Sequence, residues 1–298
     1  MIVTELNGGL GNQLFQYALG RYLAERHRTE LWLDNGFLLQ QSSGPDSSAR
    51  RTFALDGFTI DPKMAPSAVT RRYGLRPTRA GRVWGRVRNT FFNRGPLTYL
   101  AERTPFRADS RVLQAPDNSY LSGYWQSRAY VDPIAAVLRQ ELVFREALPP
   151  VAGELAEQIR GAEAVCLHVR RGDFVNNARH QVTEPAYFYR AEEVLKQRLE
   201  RPTLFVFSDD MDWCRTNLRF RLPAVYAAEE HSLPGGPIHF QLMTLCRHFV
   251  IPNSTFSWWA AFLGRKADSL VVAPRLWLRE KGRSVTAPEL KYPHWIEL

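Results

Sequence analysis

The chain is poor in cysteine, in lysine and in long apolar runs, and each shortage closes off a class of protein. Its three cysteines, Cys166, Cys214 and Cys246, form no CxxC pair. That odd, dispersed set argues against a disulfide framework and against zinc or dithiol chemistry, and for buried thiols in a reducing cytosol. The longest apolar run near the C-terminus, Trp258 to Leu263, is far short of the roughly 18 residues a membrane span needs. The opening MIVTELNGG has no basic stretch followed by an apolar one, so no secretory leader is expected. Glycine and proline stand at 19 each, with 45% hydrophobic and 23% charged residues. Collagen, coiled coil and disorder are therefore excluded.

A length of 298 residues passes the roughly 250–300 at which one core stops growing. Two domains with a cleft are expected, residues 1–150 and 151–298, joined near Leu148, Pro149 and Pro150, the proline pair serving as linker.

Basic residues number 39 against 30 acidic, for a net charge of +9 and a pI of about 9.7. The first 150 residues hold 20 basic and 13 acidic side chains, so +7 of the +9 lies there. Arg71, Arg72, Arg76, Arg79, Arg82, Arg86, Arg88 and Arg94 fill a stretch with no carboxylate. At helical spacing Val83, Trp84, Val87 and Phe91 share one face, and Arg79, Arg82 and Arg86 the opposite one. This pattern suits an interfacial helix on anionic membrane headgroups, with a plain solvated face as the alternative. Nucleic acid is a rival partner for so basic a chain, but no nucleic-acid motif is present and the charge lies away from the other motifs.

Short apolar strands alternate with amphipathic helices, the signature of α/β layers with parallel sheets. Ile2–Leu6 reads as a strand, Gly8–Gly11 as a tight loop and Asn12–Arg26 as a helix. The second half gives strands at 165–169, 203–207 and 249–251, and helices at 185–199 and 238–247.

Four segments carry chemistry. The loop Gly8, Gly9, Leu10, Gly11, Asn12 lets backbone amides approach a ligand, though as a bare loop it also suits a structural turn. It lacks the dinucleotide GxGxxG pattern, since Leu14 stands where the last glycine would be, and Asp34 is the one acid near the required spacing. HVRRGD, His168 to Asp173, ends a buried strand where open α/β sheets bind ligands. Adjacent guanidiniums there suit a pyrophosphate, with Asp173 neutralising or orienting one of them; a structural ion-pair cluster is the alternative. Asn253, Ser254, Thr255 and Ser257 follow another strand and open a helix at about Ser257, giving hydroxyls and amides for an anion or an ordinary cap. FSDDMD, Phe207 to Asp212, contains the DxD pattern Asp210, Met211, Asp212. That pattern holds divalent cations elsewhere but equally marks a turn and helix start.

Together these segments resemble the α-1,2-fucosyltransferases, which move fucose from GDP-fucose to a galactose hydroxyl. The resemblance runs through GGLGNQLFQYALG at Gly8, GYWQS at Gly123, HVRRGDF at His168, FSDDMDWC at Phe207, NSTFSWWAAFL at Asn253 and VVAPRLW at Val271. It does not extend to residues 40–117.

The resemblance implies a GT-B architecture of two facing Rossmann-like α/β domains. The N-terminal one lies on the acceptor side and the C-terminal one binds GDP-fucose, while the tail is free to pack back on the N-terminal domain. It implies inversion at the anomeric carbon and no metal. Arg170 would hold the β-phosphate, with Arg171 beside it and His168 near the ribose or base. Asn253, Ser254, Thr255, Phe256 and Ser257 would form the phosphate turn. Gly11, Asn12 and Gln13 would lie near the reacting sugar, and Trp125 and Gln126 near the acceptor. His239 stands where related chains carry an acid that reads guanine, with Asp209 and Asp210 as fallbacks for base or ribose. Arg170, Asn12 and Asp173 would be the catalytic group. The general base stays open, because a good leaving group permits late proton transfer to water or to Asn12. The resemblance further implies a cytoplasmic enzyme, peripheral on the inner face of the membrane, with O-antigen, capsule or free oligosaccharide as acceptor. A metal-dependent glycosyltransferase using Asp210 and Asp212 with another nucleotide sugar is the nearest rival.

Overall fold

The computed structural model describes residues 1–42, 52–73, 97–175, 177–180, 182–227, 236–280 and 282–298. Most of the basic segment expected to meet a membrane lies outside these residues; only Arg71 and Arg72, closing a short helix Ser67–Arg72, and Tyr73 fall within them. The chain forms two compact units, Met1–Arg145 and Glu146–Leu298. The proline pair is inside the second unit, where Pro149 caps a helix and Pro150 is its first residue. Proline suits that position because its missing N–H has no intrahelical acceptor to lose.

The first unit is a parallel sheet of β1 (Ile2–Glu5), β2 (Leu31–Asp34), β3 (Lys63–Met64), β4 (Thr98–Ala101) and β5 (Ser119–Ser122), in the order β3-β2-β1-β5-β4. The chain runs outward from β1 to β3, then returns to the other side of β1. The switch point therefore falls between β1 and β5, where open α/β sheets bind ligands at their C-terminal ends. Helix α1 (Leu10–His27) packs on this sheet through Leu14, Phe15, Ala18, Leu19 and Leu23, all buried. Gly20 permits the close approach, because a Cβ there would meet Thr4 Oγ1 at 2.4 Å and Leu31 Cδ1 at 2.6 Å.

The second unit repeats the plan with β6 (Glu163–Val169), β7 (Pro202–Ser208), β8 (Ala224–Tyr226), β9 (His248–Val250), β10 (Val271–Ala273) and, beyond the hairpin β11 (Leu278–Glu280) and β12 (Arg283–Val285), β13 (Ile296–Glu297). Its parallel order is β13-β10-β9-β6-β7-β8, with the switch between β6 and β9. Helices α2 (Pro150–Arg160), α3 (Pro185–Arg198), α4 (Met211–Asn217), α5 (Pro237–Leu245) and α6 (Thr255–Gly264) accompany it. The tail joins this sheet: β13 pairs with β10, and Leu298 N donates to Ala273 O at 3.1 Å. Buried Lys291 fixes it further by donating to the carbonyls of Pro274 and Arg275 and pairing with Glu297.

The apolar run Trp258–Leu263 belongs to α6, where Trp258 stacks on Phe262 and packs with Trp259, Tyr292 and Trp295. The Trp258 indole N–H donates to Leu290 O at 2.7 Å, so its polar edge is satisfied inside the core. No helix among the described residues is long and apolar enough to cross a membrane.

Candidate functional site

In the second unit three neighbouring strands bring the motifs to one edge. β6 ends at Val169 and delivers Arg170 and Arg171; β7, its partner on one side, delivers Asp209 and Asp210. β9, its partner on the other side, delivers Asn253 and Ser254. HVRRGD, FSDDMD and NSTFS thus share the C-terminal edge around the switch point.

The two arginines have different surroundings. Arg170 Nη1 meets Asp209 Oδ2 at 2.8 Å, and its guanidinium carbon lies 5.9 Å from the Phe174 ring centroid. Arg171 Nε donates to Asp210 Oδ2 at 2.9 Å, and its guanidinium carbon sits 3.7 Å from the centroid of Trp213. The backbone N–H of Arg171 donates to Asp209 Oδ1 at 2.8 Å. Asp210 Oδ1 caps α4 by accepting from Trp213 N at 3.2 Å. Both oxygens of each aspartate are engaged. Asp173 lies in a short 3-10 turn and its side chain is outside the described residues; the carboxylates seen to pair the arginines are Asp209 and Asp210. Of the DxD pattern, Asp210 is thus engaged by Arg171 and Trp213 N, and Asp212 is exposed on the first turn of α4. Among the described residues no three His, Cys, Asp or Glu side chains are grouped to hold a metal ion.

Beneath the arginines, His168 is buried, and its Nδ1 has no hydrogen-bond partner. Burial, the charge of Arg170 and the neighbouring His239 push its pKa down to about 3, so the ring is neutral at physiological pH. Phe256 lies over it with centroids 5.7 Å apart. His239 is itself buried on α5, edge-on to Phe207.

The turn after β9 starts α6 at Thr255, two residues earlier than expected, with Ser254 at the N-cap and its hydroxyl making no capping bond. The amides of a first helical turn have no intrahelical acceptor, which favours an anion there. Two neighbours play other parts. Ser257, expected in the phosphate turn, is fully buried and donates to Ser254 O at 3.3 Å. Asn253 donates to His180 O at 3.0 Å and Trp277 O at 2.8 Å, bracing the turn against the VVAPRLW segment.

In the first unit the glycine loop follows β1 and GYWQS follows β5, on adjacent strands. Gly8 has φ +78°, and a Cβ there would meet Asn12 Nδ2 at 2.3 Å. Gly11 lies in the first turn of α1, not in the loop. Asn12 Oδ1 accepts from Gln126 Nε2 at 2.9 Å, which joins the two motifs. Gln13 is fully buried, donating to Gly8 O and Thr52 O and accepting from Ala54 N at 2.8–2.9 Å. Gln13, expected near the reacting sugar, braces the loop in this structure. Trp125, expected near the acceptor, is 1% exposed and packs edge-on against Tyr130 in the core.

Sequence reasoning missed the residues that hold these loops. Glu102, just after β4, accepts from Tyr124 N at 2.9 Å and Trp125 N at 3.0 Å, and burial raises its pKa. These two bonds hold Trp125 at φ +57°. Gln16 accepts from Asn7 N and donates to Gly123 O, both at 2.9 Å. Glu5, buried at the end of β1, accepts from Ser122 Oγ at 2.5 Å. No spacing in the sequence pairs these residues, because they meet across separate strands and loops: Glu102 reaches groups 22 and 23 positions on, and Gln16–Gly123 and Glu5–Ser122 span 107 and 117 positions. A cavity of about 590 Å³ opens at the opposite, N-terminal edge of this sheet, lined by Tyr17, Arg21, Glu30, Lys63 and Glu141 among others; Tyr17 is its one residue from the quoted motifs, and none of the residues expected to bind donor or acceptor lines it.

The model of glycosyl transferase family 11 matches residues 105–298, well over half of the chain. The O-antigen biosynthesis glycosyltransferase WbnK of Escherichia coli is 29% identical over 98% of this chain and 99% of its own. The alpha-1,2-colitosyltransferase of Escherichia coli is 27% identical over 94% and 93%. The galactoside alpha-(1,2)-fucosyltransferase 2 of Rattus norvegicus is 32% identical over 44% of this chain and 38% of its own. Among solved structures, a mutant of Arabidopsis thaliana FUT1 in complex with GDP superposes with a TM-score of 0.50 at 13% identity, over 91% of this chain and 70% of that one. The fold is α/β of the GT-B type.

Proposed function

The chain belongs to glycosyl transferase family 11, and we propose that it transfers L-fucose from GDP-fucose to the 2-hydroxyl of a galactose residue, with inversion and without a metal. The observation that carries this reading is the convergence of Arg170, the Ser254 N-cap and the first turn of α6 at the switch point of the second unit. A departing diphosphate needs charge stabilisation that grows as the glycosidic bond breaks, and a guanidinium with helix amides supplies it.

Arg170 is the catalytic residue of this reading, with Ser254 and Thr255 as phosphate contacts. Neutral His168, with its partnerless Nδ1, is a ribose or base contact. The names of the relatives support α-1,2 transfer from an activated 6-deoxy sugar. Gln126 and Asn12, bonded to each other in the first unit, are the acceptor-side pair. A good leaving group lets the acceptor proton pass late, to water or to Asn12.

One relative favours a second donor. Colitose differs from fucose by lacking the 3-hydroxyl, and the colitosyltransferase matches nearly the whole chain. GDP-colitose is therefore tested beside GDP-fucose.

Calorimetric titration with GDP and UDP in EDTA, repeated on Arg170→Ala, tests the donor half. GDP should bind without metal, and the variant should bind it roughly tenfold or more weakly, the scale of a lost charge-assisted hydrogen bond. UDP preference, or binding only after a divalent ion is added, would refute the reading.

A further inference from the structure

We infer that Glu102 is a positioning residue for the acceptor: its carboxylate holds the GYWQS loop in the shape that sets Gln126 against Asn12, so that the acceptor side is ordered before a galactoside arrives. This deepens the proposed function and rests on it.

Trp125 is the residue that requires such a hold. Its φ of +57° is left-handed, a conformation that a bulky side chain keeps only where its surroundings impose it. Two constraints act on it. The indole is buried edge-on against Tyr130, in the core that also takes Ile2, Leu19 and Leu121. The backbone is gripped by Glu102, whose oxygens accept from consecutive amides, Oε2 from Tyr124 N at 2.9 Å and Oε1 from Trp125 N at 3.0 Å. Successive N–H groups turned toward one anion form a concave grip that fixes the peptide between them. Glu102 is itself fixed, since its N–H donates to Ser122 O at 2.9 Å. Gly123 leaves the space for this arrangement: a Cβ there would meet Glu102 Cβ at 2.4 Å and the Trp125 ring at 3.0 Å.

The constraint passes to the next residue. Ser127 N donates to Trp125 O at 2.9 Å, which closes a three-residue turn with Gln126 at its centre. Ser127 Oγ accepts from Ala129 N at 3.3 Å, so the far end of the turn is tied down as well. Gln126 is thereby carried on a turn fixed at both ends, and its Nε2 donates to Asn12 Oδ1 at 2.9 Å. At the start of the same loop, fully buried Gln16 donates to Gly123 O and accepts from Asn7 N, both at 2.9 Å. The glycine loop and GYWQS are therefore joined at their starts by Gln16 and at their ends by Gln126, and Glu102 supplies the charge-assisted bonds of that frame. A loop already held in its working shape spares the acceptor the entropy of ordering it.

Glu102→Gln tests this. The carboxamide keeps the bulk and one acceptor oxygen, but its own N–H turns toward the other amide, so one of the two bonds is lost. With GDP-fucose as donor and lactose as acceptor, the acceptor KM should rise roughly tenfold while kcat and GDP affinity stay within about twofold of wild type. Gln126→Ala is the second variant; it leaves Glu102 and the core alone and should raise the acceptor KM to a similar degree. In the Gln126→Ala background, adding Glu102→Gln should change that KM by less than about twofold, because the carboxylate acts through the missing glutamine.

An acceptor KM unchanged in either single variant would overturn the inference, as would a full further loss in the double variant. A fall in kcat at unchanged acceptor KM in Glu102→Gln would also overturn it, assigning the carboxylate to the acceptor proton instead. GDP affinity lost in step with the acceptor KM would overturn it in favour of a general support of the fold. A wild-type protein that binds no GDP and transfers no sugar to lactose would refute the proposed function itself, an outcome separate from all of these.

Discussion

A histidine buried beside an arginine gives this site a readable dependence on pH. His168 titrates near 3 in the folded chain against 6.5 in an ordinary setting. The unfolded chain therefore takes up more protons between those values, and stability falls as pH drops from about 6.5 toward 3, with no contribution above that window. Melting temperatures at pH 7.5 and 5.0 should differ more in wild type than in His168→Gln; equal differences would remove His168 from the acid response. Residue types were legible in the motifs, but their partners were not. The arginines and the N-cap serine gather at the C-terminal edge of one sheet, and the asparagine of the glycine loop bonds to GYWQS, because short polar patterns follow the strand ends. Gln13 and Trp125 occupy the same motifs, yet one is consumed by three backbone groups and the other by the core. Nothing in a linear motif separates the side chain that meets the ligand from the side chain that holds the loop. Glu102 and Trp213, which hold the loops and the arginine, were invisible as partners for the same reason.

At the scale of elements, the strand–loop–helix openings were legible because period-two and helical patterns alternate cleanly there. The main differences were at helix starts, where Ser254 rather than a later serine caps α6 and Gly11 joins α1. Two substitutions test how elements carry the site. Gly8→Ala must force a left-handed φ of +78° on a side chain that would press on Asn12, at about 1 kcal/mol or more of stability. It should raise the acceptor KM while leaving unchanged the GDP affinity that the proposed function assigns to the other unit; altered GDP affinity would contradict this separation. Trp258→Ala should cost about 3–5 kcal/mol, the usual price of emptying a buried indole site. Trp258→Phe keeps an aromatic ring against Phe262 but loses the bond to Leu290 O and part of the indole's packing, about 1–3 kcal/mol. Denaturant titration of both variants checks the order.

For the whole molecule, the same plan appears twice: a parallel sheet whose chain order reverses at its middle, with the motifs at the C-terminal ends on both sides of the reversal. That repetition was readable in outline from the alternation of strands and helices. Strand order and the tail's place beside β10 were not, since pairing is set by crossovers that leave no local mark. The arginine-rich stretch Arg71–Arg94 still predicts sedimentation with anionic vesicles that weakens as salt is raised; no binding at low salt would remove the membrane partner.

The central claim is the transfer itself, and incubating the protein with GDP-fucose and a galactoside in EDTA tests it most directly, with the released GDP and the new glycosidic linkage both read out. The account predicts one fucose joined in α linkage to the galactose 2-hydroxyl for each GDP released, and no product from Arg170→Ala. Product only with an added divalent ion, or transfer only from a donor that carries no GDP, would contradict it.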